Sequence, residues 1–136
     1  MSHILIVEDE PIIRESLSRL LQKQGHSVTA VSCVADAIDQ SIHGYDLIIS
    51  DIRLPGEPGT VLISKAAPIP VLIMTSYSTV QSAVDAMKQG AVDYISKPFN
   101  HDEMVLTVNR ALEKSNIERQ NKILAQEVAR DYPIDG

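Results

Sequence analysis

The chain of 136 residues fits a single domain that can bury one hydrophobic core. Hydrophobic residues make up 44% and charged residues 22% of it, which is the composition of a globular protein rather than of a disordered chain. The 18 acidic and 12 basic residues leave a net charge of −6, and without Lys and Arg clusters we expect no direct contact with nucleic acid.

Cysteine usage and the N-terminal sequence bound the cellular setting. Cys33 is the only cysteine, which excludes an internal disulfide, a thiolate zinc site and a redox pair. The segment MSHILIV has no basic region and too short an apolar run for a signal peptide, and no segment approaches the length of a membrane span. We expect a cytoplasmic protein that does not enter a membrane.

Five short apolar runs bounded by turn residues predict β-strands. They are ILIV at 4–7, SVTAV at 27–31, DLIIS at 46–50, VLIM at 71–74 and VDYIS at 92–96. The first, third and fourth runs are almost continuously hydrophobic, which indicates strands buried on both faces of a sheet.

Apolar residues at helical spacing fill the intervals between these runs. The stripe of the first helix is Ile12, Ile13, Leu17, Leu20 and Leu21, and that of the fourth is Val80, Ala83, Val84 and Met87. These two helices end at Gly25 and Gly90, residues suited to the left-handed position after a helix. The second helix is predicted near 34–42, and only TVLISKAA remains for a short third helix. A capping box of Asn100 and Glu103 opens the fifth.

The repeated strand–helix order predicts an α/β fold, with a doubly wound parallel sheet in the strand order 2-1-3-4-5 and helices on both faces. In such sheets ligands bind at the carboxyl ends of the strands. The polar residues that end or follow strands one, three, four and five would therefore meet at one edge. They are Glu8, Asp9, Asp51, Thr75 and Lys97.

Three carboxylates at one edge repel one another unless a proton or a cation lies between them. An all-oxygen site suits Mg²⁺ better than zinc or copper, so Glu8, Asp9 and Asp51 are candidate ligands. Lys97 and the Thr75 hydroxyl would add donors for the oxygens of a phosphoryl group. Asp51 ends the central strand, and an aspartate can itself be the nucleophile that forms an aspartyl phosphate.

The motifs VEDE, SDIRLPG, MTS and KPF, in this order and on these elements, resemble the receiver domain of bacterial two-component response regulators over residues 3 to about 115. The resemblance implies a flavodoxin-like fold and a phosphorelay function in which Asp51 accepts a phosphoryl group from a sensor histidine kinase. It also implies that Asp9 and Asp51 bind Mg²⁺ directly. Glu8 would bind it through water, and the Arg53 main-chain carbonyl would be a further ligand. Such a protein is not an enzyme, beyond catalysing its own phosphorylation and dephosphorylation.

The same resemblance implies that Thr75 and Lys97 hold the phosphoryl oxygens and that phosphorylation draws Thr75 inward. Tyr94 is the aromatic residue coupled to this switch, and its ring would rotate toward the core. The face formed by 79–112 would report the change, commonly by homodimerisation. Lys97 precedes Pro98, and the isomer of that peptide bond stays open.

The tail after residue 115 is rich in helix formers and predicts an extended linker helix. Its heptad core positions are Ile117, Asn121, Leu124 and Val128. The tail and the following DYPIDG resemble the junction before the ATPase domain of sigma-54-dependent transcriptional activators. We therefore expect a receiver domain at 1–115 and, at 116–136, a linker helix that helps dimerise the chain and begins the junction to an output module with ATPase and DNA-binding domains. A solvated helical extension is the alternative.

Two other functions are compatible with part of the pattern. A phosphatase of the haloacid dehalogenase type also uses an aspartate nucleophile and Mg²⁺, but it needs a second aspartate two residues later, where this chain has Arg53. A protein-binding module with a vestigial site would act independently of phosphorylation.

The segment between Asp51 and Thr75 is shorter than in typical receivers by about one helical turn. The bulky Tyr77 is expected to slow hydrolysis of the phosphoryl group.

Overall fold

Five parallel strands form the sheet of the protein, whose structure, a computed structural model, describes residues 2–76 and 80–115. The strands are β1 (His3–Val7), β2 (Ser27–Val31), β3 (Leu47–Asp51), β4 (Val71–Thr75) and β5 (Asp93–Ser96). They pair in parallel in the order β2-β1-β3-β4-β5. The predicted fold class and strand order are therefore confirmed.

Helices cover both faces of this sheet. Within the described ranges they are α1 (Pro11–Lys23), α2 (Val34–Asp39), α3 (Val61–Lys65), α4 (Val80–Gln89) and α5, which is helical over 101–115. α1 and α5 pack on one face, and α2, α3 and α4 pack on the other. None of these described helices is long and apolar enough to cross a membrane.

The central strands divide their side chains between two hydrophobic cores. In β1, Ile4 and Ile6 face α1 and α5, whereas Leu5 and Val7 face the opposite core. Every residue of β3 and β4 is buried. Burial on both faces explains why these strands are continuously hydrophobic in sequence, and it holds in place the strand ends at which polar residues follow.

The predicted helix ends of α1, α4 and α5 are confirmed. Gly25 and Gly90 have positive φ angles of 92° and 109°, the left-handed conformation that glycine adopts without steric cost. At the start of α5, the Glu103 N–H donates to the Asn100 side-chain oxygen at 2.6 Å. At the start of α1, Pro11 occupies the first turn and leads the chain from the acidic segment into the helix.

Two predicted apolar stripes are wrong in part. Ile12 is 83% exposed in the first turn of α1. The residues that α1 buries are Leu17, Leu20 and Leu21. In α4, Ala83 and Ala86 are buried, whereas Val84 and Met87 are 39% and 41% exposed. Neighbouring residues of a helix point about 100° apart. Because Ala83 and Ala86 face the core, the residues that follow each of them, Val84 and Met87, point toward the surface.

The second and third helices are both short. α2 ends at Asp39, before the predicted limit near residue 42, because Gln40 adopts an extended ψ of 154°. A 3-10 turn follows at Ile42–Gly44. α3 has five residues, and Pro68, which has no amide hydrogen to continue a helix, follows shortly after it. The compact α3 agrees with the short connection between β3 and β4.

Candidate functional site

The predicted polar residues lie at the carboxyl edge of the sheet. Glu8 and Asp9 follow β1 directly. Asp51 and Thr75 are the last residues of β3 and β4, and Lys97 follows β5. Glu8, Asp51 and Thr75 are buried, with exposed fractions of 0%, 4% and 2%, whereas Asp9 is exposed. The parallel topology thus brings residues from four strands to one edge.

Three carboxylates form an acidic cluster at this edge, composed of Glu8, Asp9 and Asp51. One carboxylate oxygen from each residue lies within 4.8 Å of those of the other two. Charges this close repel unless a cation or a proton intervenes. The donors are all oxygens, and one residue is open to solvent, which suits a hard divalent cation that keeps part of its water shell. The cluster is therefore compatible with a divalent metal ion.

Lys97 joins two of these acids through its ammonium group. Its Nζ donates to Oδ2 of Asp51 at 2.9 Å and also to Oε1 of Glu8. The exposed side-chain fractions are 8% for Lys97, 0% for Glu8 and 6% for Asp51. With little water present, the attraction between these charges is weakly screened, so each group stabilises the others in their observed positions.

The environment of this network changes the acidity of two of its members. Burial raises the pKa of Glu8 to about 7, although the hydrogen bond from Lys97 acts in the opposite direction. Burial by itself lowers the pKa of Lys97, but the hydrogen bonds to Glu8 and Asp51 outweigh burial and leave that pKa raised. The ammonium is therefore charged at neutral pH, and Glu8 lies near its titration point there.

Main-chain N–H groups two residues after Glu8 and Asp51 donate to the side chains of these acids. The Arg53 N–H donates to Oδ1 of Asp51 at 3.3 Å. The Glu10 N–H donates to Oε2 of Glu8 at 3.2 Å. Both carboxylates are thus oriented by a main-chain N–H two residues later, in addition to the lysine ammonium.

Sequence reasoning missed two residues that contact this site. Arg14 Nη1 donates to the main-chain oxygen of Glu8 at 2.9 Å, which ties α1 to the end of β1. Gly59 lies against the main chain of Asp51. The spacing of the three apolar residues around Arg14 marks only the helix, and the glycine sits in a segment rich in Gly and Pro that reads as an ordinary turn.

Thr75 and Tyr94 lie on adjacent strands near the site. The Lys97 main-chain N–H donates to the Thr75 carbonyl at 2.8 Å, while Tyr94 is 42% exposed on the outer part of the sheet. A single arrangement does not test the predicted coupling, which stays a prediction. The bond from Lys97 to Pro98, left open by the sequence, is cis. Tyr77 and the tail at 116–136 lie outside the described residues.

The sequence of the chain is similar to a known protein family and to curated proteins. The response regulator receiver domain family matches residues 4–109 of the chain. The transcriptional regulatory protein FixJ of Bradyrhizobium diazoefficiens is 34% identical over 133 residues, which cover 93% of this chain and 64% of FixJ. The DNA-binding transcriptional regulator NtrC of Klebsiella pneumoniae is 39% identical over 112 residues, which cover 79% of this chain and 24% of NtrC. The chain thus spans less than two thirds of the length of either relative.

Solved structures with the same fold include receiver domains. A receiver domain protein from Clostridium thermocellum superposes with a TM-score of 0.79 at 24% identity, covering 86% of this chain and 98% of that one, which supports the fold alone. NtrX from Brucella abortus superposes with a TM-score of 0.79 at 32% identity, covering 90% of this chain and 30% of NtrX. The similar part again corresponds to a fraction of a longer protein.

Proposed function

The chain belongs to the response regulator receiver domain family, and from that premise we propose that it accepts a phosphoryl group on the carboxylate of Asp51 in a Mg²⁺-dependent reaction. The observation that carries this proposal is the position of Asp51. It ends the central strand, is 4% exposed, and accepts a hydrogen bond from Lys97 at 2.9 Å beside the acidic cluster. A carboxylate held in such surroundings can act as a nucleophile.

In the proposed reaction, one carboxylate oxygen of Asp51 attacks the phosphorus of a phosphohistidine on a sensor histidine kinase. The oxygen–phosphorus bond forms as the phosphorus–nitrogen bond breaks, and the leaving imidazole keeps the electron pair and takes up a proton. Phosphoryl transfer depends chiefly on in-line positioning and on neutralising the charge of the transferred group. Lys97 supplies one positive charge beside Asp51 for the second requirement, and the proposed metal ion would supply the rest.

The proposed metal is Mg²⁺, held by the oxygen donors of the acidic cluster. Asp9 and Asp51 would bind it directly, Glu8 would bind through water, and the Arg53 carbonyl would be a further ligand. The mutual distances of at most 4.8 Å between the carboxylate oxygens support this assignment. When bound, the ion would neutralise charge both on the cluster and on the phosphoryl oxygens.

Lys97 and Thr75 are proposed to hold the phosphoryl oxygens. The ammonium of Lys97 already donates to Oδ2 of Asp51, so a group attached to that carboxylate would arrive beside it. Thr75, at the end of the next strand, would supply a hydroxyl donor. Its inward movement would leave space for the half-exposed Tyr94 ring, so that phosphorylation shifts an existing equilibrium between two arrangements.

The surface that reports this shift is proposed to be the face formed by 79–112. Large apolar side chains are exposed on α4, β5 and α5, and they are Val84, Met87, Tyr94 and Leu106. An exposed apolar surface of this kind is typical of an interaction site. We propose that it forms a homodimer, alone or together with the linker helix at 116–136.

The chain is further proposed to be the regulatory part of a longer cytoplasmic transcriptional regulator. In this interpretation, 1–115 is the receiver and 116–136 begins the junction to ATPase and DNA-binding domains of a sigma-54-dependent activator. The name and length of one relative support the longer, DNA-binding regulator, since the matched part is 24% of a DNA-binding transcriptional regulator. The ATPase domain and the sigma-54 dependence are proposed from the resemblance of the tail. Contact with DNA would then belong to the output module.

The chain is not proposed to be an enzyme acting on other substrates. A phosphatase of the haloacid dehalogenase type needs an aspartate two residues after its nucleophile, and Arg53 occupies that position. The remaining alternative is a binding module with a vestigial site. Such a module would not form a phosphate adduct on Asp51.

The test is phosphorylation by a small acyl phosphate in the presence of Mg²⁺, followed by intact mass spectrometry. We expect a single phosphate adduct that is labile to base and is absent from Asp51→Asn and from the magnesium-free sample. Asp36→Asn, which changes an exposed carboxylate on α2, is the matched control and should keep the adduct. A folded parent protein that forms no adduct would overturn the proposal in favour of the binding module.

A further inference from the structure

The loop between β3 and α3 returns to the strand end that carries Asp51. The Ile52 N–H donates to the Met74 carbonyl at 2.9 Å, which extends the sheet contact one residue beyond β3. The Gly59 N–H then donates to the Ile52 carbonyl at 3.0 Å. The segment 52–59 is thus closed at its base by a main-chain hydrogen bond beside the proposed phosphoacceptor.

Position 59 admits no side chain in this arrangement. A Cβ on Gly59 would lie 1.9 Å from the main-chain oxygen of Asp51 and 2.5 Å from Oγ of Ser50. Ordinary van der Waals contact begins at 3.4 Å, so the two segments would have to separate by more than an ångström. Gly59 does not have a positive φ. Glycine is therefore required at position 59 because there is no room for a Cβ, and not because the backbone adopts a left-handed conformation.

Ser50 contacts the same peptide group through its hydroxyl. Its side chain is fully buried, and Oγ donates to the main-chain oxygen of Asp51 at 3.0 Å. The Arg53 N–H donates to Oδ1 of the Asp51 carboxylate at 3.3 Å. The main chain of Asp51 therefore accepts a hydrogen bond from Ser50 and packs against Gly59. Its side chain accepts a hydrogen bond from the loop that Gly59 closes.

We propose that Gly59 and Ser50 are positioning residues that fix the direction of the Asp51 carboxylate and the position of the Arg53 main-chain N–H that donates to it. The inference rests on the proposed phosphoacceptor function and assigns to that reaction two residues outside the polar cluster. Displacing the Asp51 peptide would turn its carboxylate and move the Arg53 N–H that orients it. A misplacement of about 1 Å can slow a reaction by about 100-fold, so the effect on phosphorylation should be large.

The test compares Gly59→Ala and Ser50→Ala with Gly44→Ala, since a Cβ on Gly44 meets nothing within 4 Å. Thermal unfolding establishes which variants fold, and the rate of adduct formation from acyl phosphate is measured at saturating Mg²⁺. We expect Gly59→Ala to slow adduct formation by about 10- to 100-fold and Ser50→Ala to slow it by about threefold or more. Both should also weaken Mg²⁺ binding, and Gly44→Ala should match the parent in every measurement.

A second readout does not depend on activity. In the metal-free protein, the amide resonance of Arg53 should shift in Gly59→Ala and Ser50→Ala and should stay in place in Gly44→Ala. If Gly59→Ala does not fold, Ser50→Ala carries the test by itself, because it only removes a hydroxyl.

A parental rate, a parental Mg²⁺ affinity and an unmoved Arg53 resonance in the folded variants would together overturn the inference. A lowered thermal midpoint beside these three parental values would show that Ser50 and Gly59 have a purely structural role. A parent protein that forms no adduct contradicts the phosphoacceptor function instead, and the Arg53 resonance and Mg²⁺ affinity then still decide the positioning role.

Discussion

The ammonium of Lys97 lies 2.9 Å from Oδ2 of Asp51, although the two residues are 46 positions apart in the chain. The same ammonium also contacts Glu8, so one cation lies between carboxylates that come from the ends of β1 and β3. Each of these three charges has lost most of its contact with water. The removal of any one of these charges should therefore change the stability of the folded protein or its affinity for a metal ion.

Removal of the cation is the first case. We expect Lys97→Ala to lower the free energy of unfolding by about 3 kcal/mol in metal-free buffer at mildly alkaline pH, because it leaves two buried carboxylates unpaired. Lys65→Ala, at an exposed position of α3, should change it by less than about 0.5 kcal/mol. Urea denaturation measures both values. Similar losses in the two variants would show that the buried ion pair does not contribute to stability.

The raised pKa of Glu8 leads to a pH dependence of the metal-free protein. The pKa is about 7 in the folded protein against an ordinary value of 4.5, so the folded state holds this proton more tightly than the unfolded chain. The stability contributed by Glu8 is therefore complete below pH 4.5 and is lost as the pH rises through about 7.

Thermal unfolding across that range measures the effect. We expect the midpoint of the metal-free parent to fall between about pH 6 and pH 8 more steeply than that of Glu8→Gln, which has no proton to lose at this position. The difference between the two proteins removes the contribution of other titrating groups. Identical slopes would mean that Glu8 is ionised in the folded protein across the whole range.

The substitution Asp9→Asn should stabilise the metal-free protein but remove the stabilisation that Mg²⁺ provides. Its carboxylate lies within 4.8 Å of two others, so Asp9→Asn relieves repulsion on the order of 1 kcal/mol and should raise the metal-free unfolding midpoint by a few degrees. The same change removes a proposed direct ligand, so added Mg²⁺ should no longer stabilise the variant as it stabilises the parent. Asp36→Asn is the control outside the cluster. A metal-induced shift in Asp9→Asn as large as in the parent would exclude Asp9 as a ligand.

Self-association should depend on the apolar surface of α4 and β5. Met87 is 41% exposed beside Val84 and Tyr94, and a two-fold dimer through this surface would bring two copies of it together. We expect Met87→Glu to weaken dimerisation more than about tenfold, since it places like charges on an apolar contact. Sedimentation of the phosphorylated and unphosphorylated forms measures this, with Ile12→Glu on α1 as the control. Self-association that is unchanged in Met87→Glu would contradict a dimer contact through this surface.

Sequence patterns were sufficient where the physical cause is local or follows from chain order. The continuous hydrophobic runs of β1, β3 and β4 reflect burial on both faces, and alternation with helices requires parallel strands. Parallel strands share one carboxyl edge, so the meeting of Glu8, Asp51 and Lys97 could be predicted before any distance was known. The helical stripes were less informative, because apolar spacing does not reveal which of two neighbouring residues faces the sheet. Ile12 and Met87 show this limit, since both are exposed.

Only the tertiary structure decided how the residues at that edge contact one another. The ammonium of Lys97 reaches Glu8 across 89 positions of the chain and Asp51 across 46. The approach of Gly59 to the Asp51 carbonyl depends on how one loop folds back. Strand formation and strand order follow from patterns within a few residues and from the succession of elements. Whether a hydrogen bond or a steric contact forms depends on atomic positions to within fractions of an ångström. Those positions are determined by the register of the sheet, the packing of its cores and the path of its loops.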